Sequence, residues 1–215
     1  MTEYYIAIYF QGVKGFSAAK SGVMGVPMIV GLLLATVSSG FGVSKIGYYT
    51  PFMIVTVVIA PIAGGVLTTL NIDENLVKVL LCLGALGFAI GLGIGQPINA
   101  VQTVLPEKDV PIGMAVLGFG GGMGSALFLA VSAALFQNRL VEEIHRYSPT
   151  TNTTQIEHVG LSDIRKVIGD DRLRDVLLGY DKAVVQTLYL PVALMVLSII
   201  GPVAMEWRSV KKKQS

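Results

Sequence analysis

Residues 79–106 read VLLCLGALGFAIGLGIGQPINAVQTVLP, twenty-eight positions without one Asp, Glu, Lys or Arg. A bilayer's hydrocarbon core is about 30 Å thick and about 20 apolar residues of helix cross it. The run is therefore long enough to span. Four more runs share this property: Ser21–Ser44, Ile46–Ile72, Val110–Asn138 and Ala183–Met205. Together the five hold 131 of the 215 residues, and all thirty charged side chains fall in the other 84. Charged residues make up 14% of the chain, against about 25% in soluble domains, 53% is hydrophobic and the mean hydropathy is +0.67. This composition excludes a soluble domain and a disordered chain, and the single Cys82 excludes a disulfide scaffold. The pattern predicts an all-α membrane protein with the lipid bilayer as its first partner.

The remaining segments divide the chain. Residues 1–12 (TEYYIAIYF within them) are apolar and aromatic but too short to cross, and read as the outer end of a truncated transmembrane helix, with Tyr4, Tyr5 and Tyr9 at interfacial depth. Residues 13–138 then carry four spans joined by short connections. Residues 139–182 form the one long connection, with 15 of the 30 charges. Leu161–Tyr180 within it has apolar residues near a 3.6 period, which predicts amphipathic helices broken near Gly169. Residues 183–206 are the last span, and 207–215 (WRSVKKKQS) a basic tail.

Orientation follows from the cations. Lys45, Lys108, Arg208 and Lys211–Lys213 lie on one side and Lys14, Lys20 and Lys78 on the other, which puts the first side and the C-terminus in the cytoplasm. The long connection carries seven Lys and Arg and opposes that count. Asn152-Thr-Thr154, a glycosylation acceptor usable on the outer side, agrees with it.

No ionisable residue lies inside the five runs, so no proton relay is visible in them. The densest uncharged polar set is Gln96, Asn99, Gln102 and Thr103, all on one helical face beside Pro97, which removes a backbone donor and can kink the helix. Two readings stay open: the face lines a solute cavity, or its amides bond between helices. Tyr5, Tyr9 and Gln11 are further candidates for solute contact. Gly87, Gly91 and Gly95 recur every four residues, as do Gly118 with Gly122 and Gly120 with Gly124, a spacing that favours close helix packing, with hinge bending the alternative. His145 and His158 have no metal-ligand spacing, and no nucleophile–base set occurs, so no metal, cofactor, nucleic acid or catalytic chemistry is expected.

The loop Gly40-Phe-Gly-Val-Ser44-Lys45-Ile-Gly47-Tyr48-Tyr49-Thr50-Pro51 resembles the cytoplasmic signature G-x-x-x-D-R-x-G-R-R of the major facilitator superfamily. Gly40, Lys45 and Gly47 match; Ser44, Tyr48 and Tyr49 depart. The version SKIGYYTPF is similar to that in the second half of fungal fourteen-span drug and toxin efflux transporters, and residues 4–23, 91–113, 175–190 and 198–211 carry the same likeness.

The resemblance implies the C-terminal six-helix half of such a transporter, as five full transmembrane helices and the end of a sixth. The parent activity would be proton-driven export of small hydrophobic solutes, with a missing N-terminal half as partner and the plasma membrane, or a vacuolar or vesicle membrane, as location. It implies that Lys45 holds helix ends together, although Ser44 removes the carboxylate half of that latch. A non-transporting membrane subunit and a non-functional truncated product are the alternatives.

Overall fold

In a bilayer every backbone N–H and C=O must find a partner within the protein, and a helix achieves this segment by segment. In a computed structural model, which describes residues 1–148, 170–205 and 207–211, nine α-helices and one π-helical turn account for nearly all of the described chain, and no strand occurs there. They are α1 (Thr2–Ile8), the π-helical turn (Tyr9–Val13), α2 (Ala18–Met24), α3 (Val26–Ile46), α4 (Thr50–Leu67), α5 (Leu76–Gly93), α6 (Gln96–Val104), α7 (Val110–Tyr147), α8 (Asp170–Leu197) and α9 (Ile200–Ala204). Five stretches are long and apolar enough to cross a membrane: Ala18–Ile46, Thr50–Leu67, Leu76–Val104, Val110–Tyr147 and Leu173–Ala204. Large apolar side chains such as Phe41, Phe119 and Val203 are 73–78% exposed, as lipid contact requires.

Two helices extend far beyond their apolar runs. Helix α7 continues through Arg139 to Tyr147, and its 38 residues measure about 57 Å, well beyond a hydrocarbon core. Charge marks where apolar character ends, while the helix itself goes on as long as its hydrogen bonds do. Arg139 pairs with Glu142 at 2.6 Å one turn on, and Glu143 accepts a 2.8 Å bond from Gln186 Nε2 of α8. Helix α8 likewise begins at Asp170, ahead of the charge-free run from Ala183. Asn152, His158 and the periodic stretch up to Gly169 lie outside the described residues.

The chain divides into two compact units. The first comprises residues 1–26, 64–80 and 128–192. Tyr5, Tyr9, Phe10 and Tyr180 are fully buried there, and Phe136 bridges Tyr5 and Tyr180 with ring centroids 5.6 and 5.7 Å apart. A Cβ at Gly12 would lie 2.6 Å from the Tyr180 ring, so the π-helical turn presents its one side-chain-free position to that ring. Gly179 meets the α7 backbone at Glu143 in the same way, at 3.0 Å. Lys14 closes the turn by donating to the carbonyls of Ile72 and Glu74 at 2.6 and 2.9 Å.

The second unit comprises residues 27–63, 81–127 and 193–215. Its centre is the crossing of α3 and α5. A Cβ at Gly31 would collide with the Gly84 carbonyl, one at Gly87 with the Met28 carbonyl, and one at Gly91 with the Leu32 carbonyl. The backbones thus touch along three turns. Thr36 Oγ1 reaches the Gly91 carbonyl at 3.3 Å, and Thr56 Oγ1 of α4 reaches the Ala89 carbonyl at 2.9 Å.

Gly87 and Gly91 therefore pack as four-residue spacing allows, whereas Gly95 has open space around an added Cβ. At Gly118, Gly120, Gly122 and Gly124 an added Cβ also meets nothing within 4 Å, because that part of α7 is exposed. Spacing is identical in the two series; which face is turned to a neighbour differs. Gly87→Leu is expected to lower stability by about 1–3 kcal/mol through overpacking, while Gly122→Ala, with open space for its Cβ inside a helix, is expected to raise it by up to about 1 kcal/mol. Reversible unfolding of the purified chain in mixed micelles measures both, and equal effects would refute the asymmetry.

Candidate functional site

Helix α6 begins where α5 ends in a turn at residues 94–95. The cause is Pro97, which has no N–H to continue the ladder. Gln96 spans the break with its side chain: Nε2 donates to the Leu92 carbonyl at 2.8 Å. Its Oε1 accepts from Asn99 Nδ2 at 3.0 Å, so both ends of the Gln96 amide are engaged. The residue is 1% exposed. Gln96 thereby braces the kink and sets the rotamer of Asn99.

Past the kink, α6 presents two faces within the second unit. Asn99, Gln102 and Thr103 line a cavity of about 530 Å³ together with Gly40, Val43 and Ser44 of α3 and with Ser209 and Val210 of the C-terminal segment. Thr103 Oγ1 is turned back on the Asn99 carbonyl at 2.6 Å. Asn99 brings its side-chain carbonyl to this space and Gln102 an amide with two donors and an acceptor. On another face, Pro97, Ala100, Val101, Val104 and Leu105 line an apolar cavity of about 380 Å³, with Tyr49, Leu117 and Met205. The two linings lie on opposite sides of the helix, amide groups on one and aliphatic and aromatic carbon on the other.

The signature loop lies beside the amide cavity. Gly47 has φ +89°, the left-handed conformation that ends a helix, and its N–H bonds the Val43 carbonyl at 2.7 Å. Lys45 and Ser44 are exposed at the end of α3, and Ser44 faces the cavity. Tyr49, at the start of α4, is fully buried against Val43 and Ala100 with Phe52, Met53, Met205 and Val210 around them. Position 49, where the signature has an arginine, thus holds part of an apolar core.

Tyr5, Tyr9 and Gln11 belong to the first unit. Tyr5 and Tyr9 are fully buried, Tyr9 donating its hydroxyl to the Asn71 carbonyl at 2.8 Å, and Gln11 is half-buried in the π-helical turn. Two charged residues join this unit's interior that spacing does not single out, Glu143 and Asp181, at 3% and 1% exposure. Both lie beyond the charge-free runs, so the run criterion passes over them. Among the described residues no group of three His, Cys, Asp or Glu could hold a metal.

No family model matches the chain, and no solved structure matches it. It is similar to curated proteins of fungi. It is 39% identical over 212 residues to the efflux pump roqT of Penicillium rubens, which covers 99% of this chain and 39% of that protein. It is 35% identical over 211 residues to the MFS-type transporter astH of Aspergillus oryzae, covering 98% and 37%, and 36% identical over 208 residues to the MFS thioclapurine efflux transporter tcpA of Claviceps purpurea, covering 97% and 38%. The chain spans about two fifths of the length of the curated relatives it matches.

Gln96→Leu keeps the volume but leaves the Leu92 carbonyl and Asn99 without their partner. It should cost about 1–3 kcal/mol, read as thermal unfolding in micelles. A change below about 0.5 kcal/mol would dismiss the bracing role.

Proposed function

We propose, on the premise that this chain is homologous to fungal transporters of the major facilitator superfamily, that it supplies one part of an efflux transporter for small hydrophobic solutes. The amide-lined cavity on α6 is the observation that carries the reading. Asn99 and Gln102 hydrogen-bond the solute and Gln96 orients Asn99. In the first unit Gln11 alone of the three candidates there keeps exposed surface for such a contact, since Tyr5 and Tyr9 are enclosed in that unit's aromatic interior.

In transporters built from repeats, movement of one repeat against another opens the path alternately to each side. Export therefore belongs to an assembly of this chain with the remaining length found in its relatives, in one polypeptide or two. The energy source is the proton gradient. The site is the plasma membrane, with the C-terminus in the cytoplasm, as the cations at Lys45, Lys108, Arg208 and Lys211–Lys213 support. Asn152 is glycosylated on the outer side.

Binding is the direct test. Fluorescent polycyclic solutes bearing amide or hydroxyl groups are titrated into the chain reconstituted in lipid. Gln102→Ala removes one hydrogen-bonding group and should weaken binding about fivefold to tenfold, as should Asn99→Ala, with helix content unchanged. Unchanged affinity across the panel would sink the assignment. Vesicles holding this chain alone are expected to bind solute without passing it, and flux from the chain alone would overturn the need for a further part.

A further inference from the structure

The apolar cavity of about 380 Å³ lies on the side of α6 away from the amides and shares no lining residue with the amide cavity. Its lining side chains are carbon apart from the Tyr49 hydroxyl and the Met205 sulfur. A solute that needs hydrogen bonds finds few partners in it. Along α6 the lining runs from Pro97 to Leu105, a rise of about 12 Å. On α7 it is Leu117, 37% exposed and next to Val116 at 65%. The cavity is thus a groove continuous with the surface that faces lipid.

The groove ends where the helices end. Leu105 and Met205 cap α6 and α9, and Tyr49 stands just ahead of α4. Val210 N–H donates to the Gly47 carbonyl at 2.8 Å, which joins the tail to the connection between α3 and α4 at this end. All charged side chains described in the second unit gather here: Lys45 in the last turn of α3, Glu107, Lys108 and Asp109 after α6, and Arg208 and Lys211 in the tail. Lys108 is flanked by two carboxylates. Arg208 lies three residues beyond Met205 and follows the exposed Trp207, a residue type that gathers at membrane surfaces. Lys211 is exposed, with its Nζ 2.8 Å from the Lys45 carbonyl. In the sequence Glu206 precedes Trp207, and Lys212 and Lys213 follow Lys211. An apolar slot with an excess of cations at its end matches an anionic amphiphile.

We propose that this groove binds one acyl chain of an anionic phospholipid, whose phosphate is held beyond its mouth by Arg208 and Lys211. A chain that enters the groove leaves other lipid chains, so it makes no hydrophobic gain and the groove alone selects weakly. Selection comes from the headgroup. Each Lys or Arg near a membrane surface is worth about fivefold in affinity for anionic lipid, and salt screens it. The exported solute is a poorer occupant, because its hydrogen-bonding groups would go unmatched against carbon. The lipid site does not depend on the amide cavity, and either assignment can fail without the other.

Trp207 is the one tryptophan of the chain, so Trp207→Phe gives a dark background. In it, Leu117→Trp reports on the groove and, in a parallel protein, Phe119→Trp reports on a 73% exposed position at nearly the same depth on another side of α7. The full chain is reconstituted in phosphatidylcholine vesicles that contain either brominated phosphatidylglycerol or brominated phosphatidylcholine, and quenching gives their relative affinity at each position. At 117 the anionic lipid should be favoured about twentyfold, the product of two cations, and the preference should vanish in about 1 M salt. At 119 the two lipids should quench alike. Arg208→Gln and Lys211→Gln should each lower the preference at 117 about fivefold, Arg208→Lys should keep it, and Val104→Phe, which fills the groove, should bring the two lipids to parity. Equal quenching by the two lipids at 117 would overturn the proposal, as would a preference that both glutamine variants leave intact. Relief of quenching by the polycyclic solutes would give the groove to solute, and quenching at 119 without any at 117 would show it covered by protein; either result overturns the proposal too.

Discussion

The contact of the α3 and α5 backbones at Gly31, Gly87 and Gly91 is the constraint on which the second unit depends. In lipid there is no hydrophobic gain from bringing two apolar helices together, so association rests on close packing and on polar contacts between helices. Glycine at three successive turns supplies the first, and Thr36 and Thr56, each bonding a carbonyl of α5, supply the second. Any side chain at these positions would push the helices apart. The amide face of α6 could not then share a cavity with Gly40 and Ser44 of α3, since α6 is carried on the end of α5.

That cavity exists because one local defect is bridged within the helix. Pro97 interrupts the hydrogen-bond ladder at the turn between α5 and α6, and the Gln96 side chain ties the two sides of that turn by donating to the Leu92 carbonyl. The tie consumes Gln96 and orders Asn99. Two amides that share a helical face thus divide the work, one spent on structure and the other held toward the space between α3 and α6. A pattern of uncharged polar residues in a span is compatible with cavity lining and with internal bonding, and here a single run of four contains both.

The first unit is organised differently. Its interior is aromatic, with Tyr5, Phe136 and Tyr180 in sequence, and its close approaches are single glycines, Gly12 on a ring and Gly179 on a backbone. Here the charge-run criterion loses its hold. Arg139–Tyr147 and the opening of α8 are rich in charge yet helical, because pairs such as Arg139 with Glu142 and Glu143 with Gln186 place those charges within the helices' own network.

The amino-acid sequence by itself determined the all-α membrane class, the number of long apolar helices, the break beside Pro97 and the shared face of Gln96, Asn99, Gln102 and Thr103. Each of these follows from local composition or from the 3.6-residue period, which is a property of one segment at a time. Tertiary structure alone decided which glycines are contacts: Gly87 and Gly91 meet a neighbour and Gly118–Gly124 do not, at the same spacing. It also decided that the tail at Ser209–Lys211 lies on the loop at Lys45–Tyr48. These depend on residues more than fifty positions apart meeting in space, and the period of a single helix holds no record of what stands opposite.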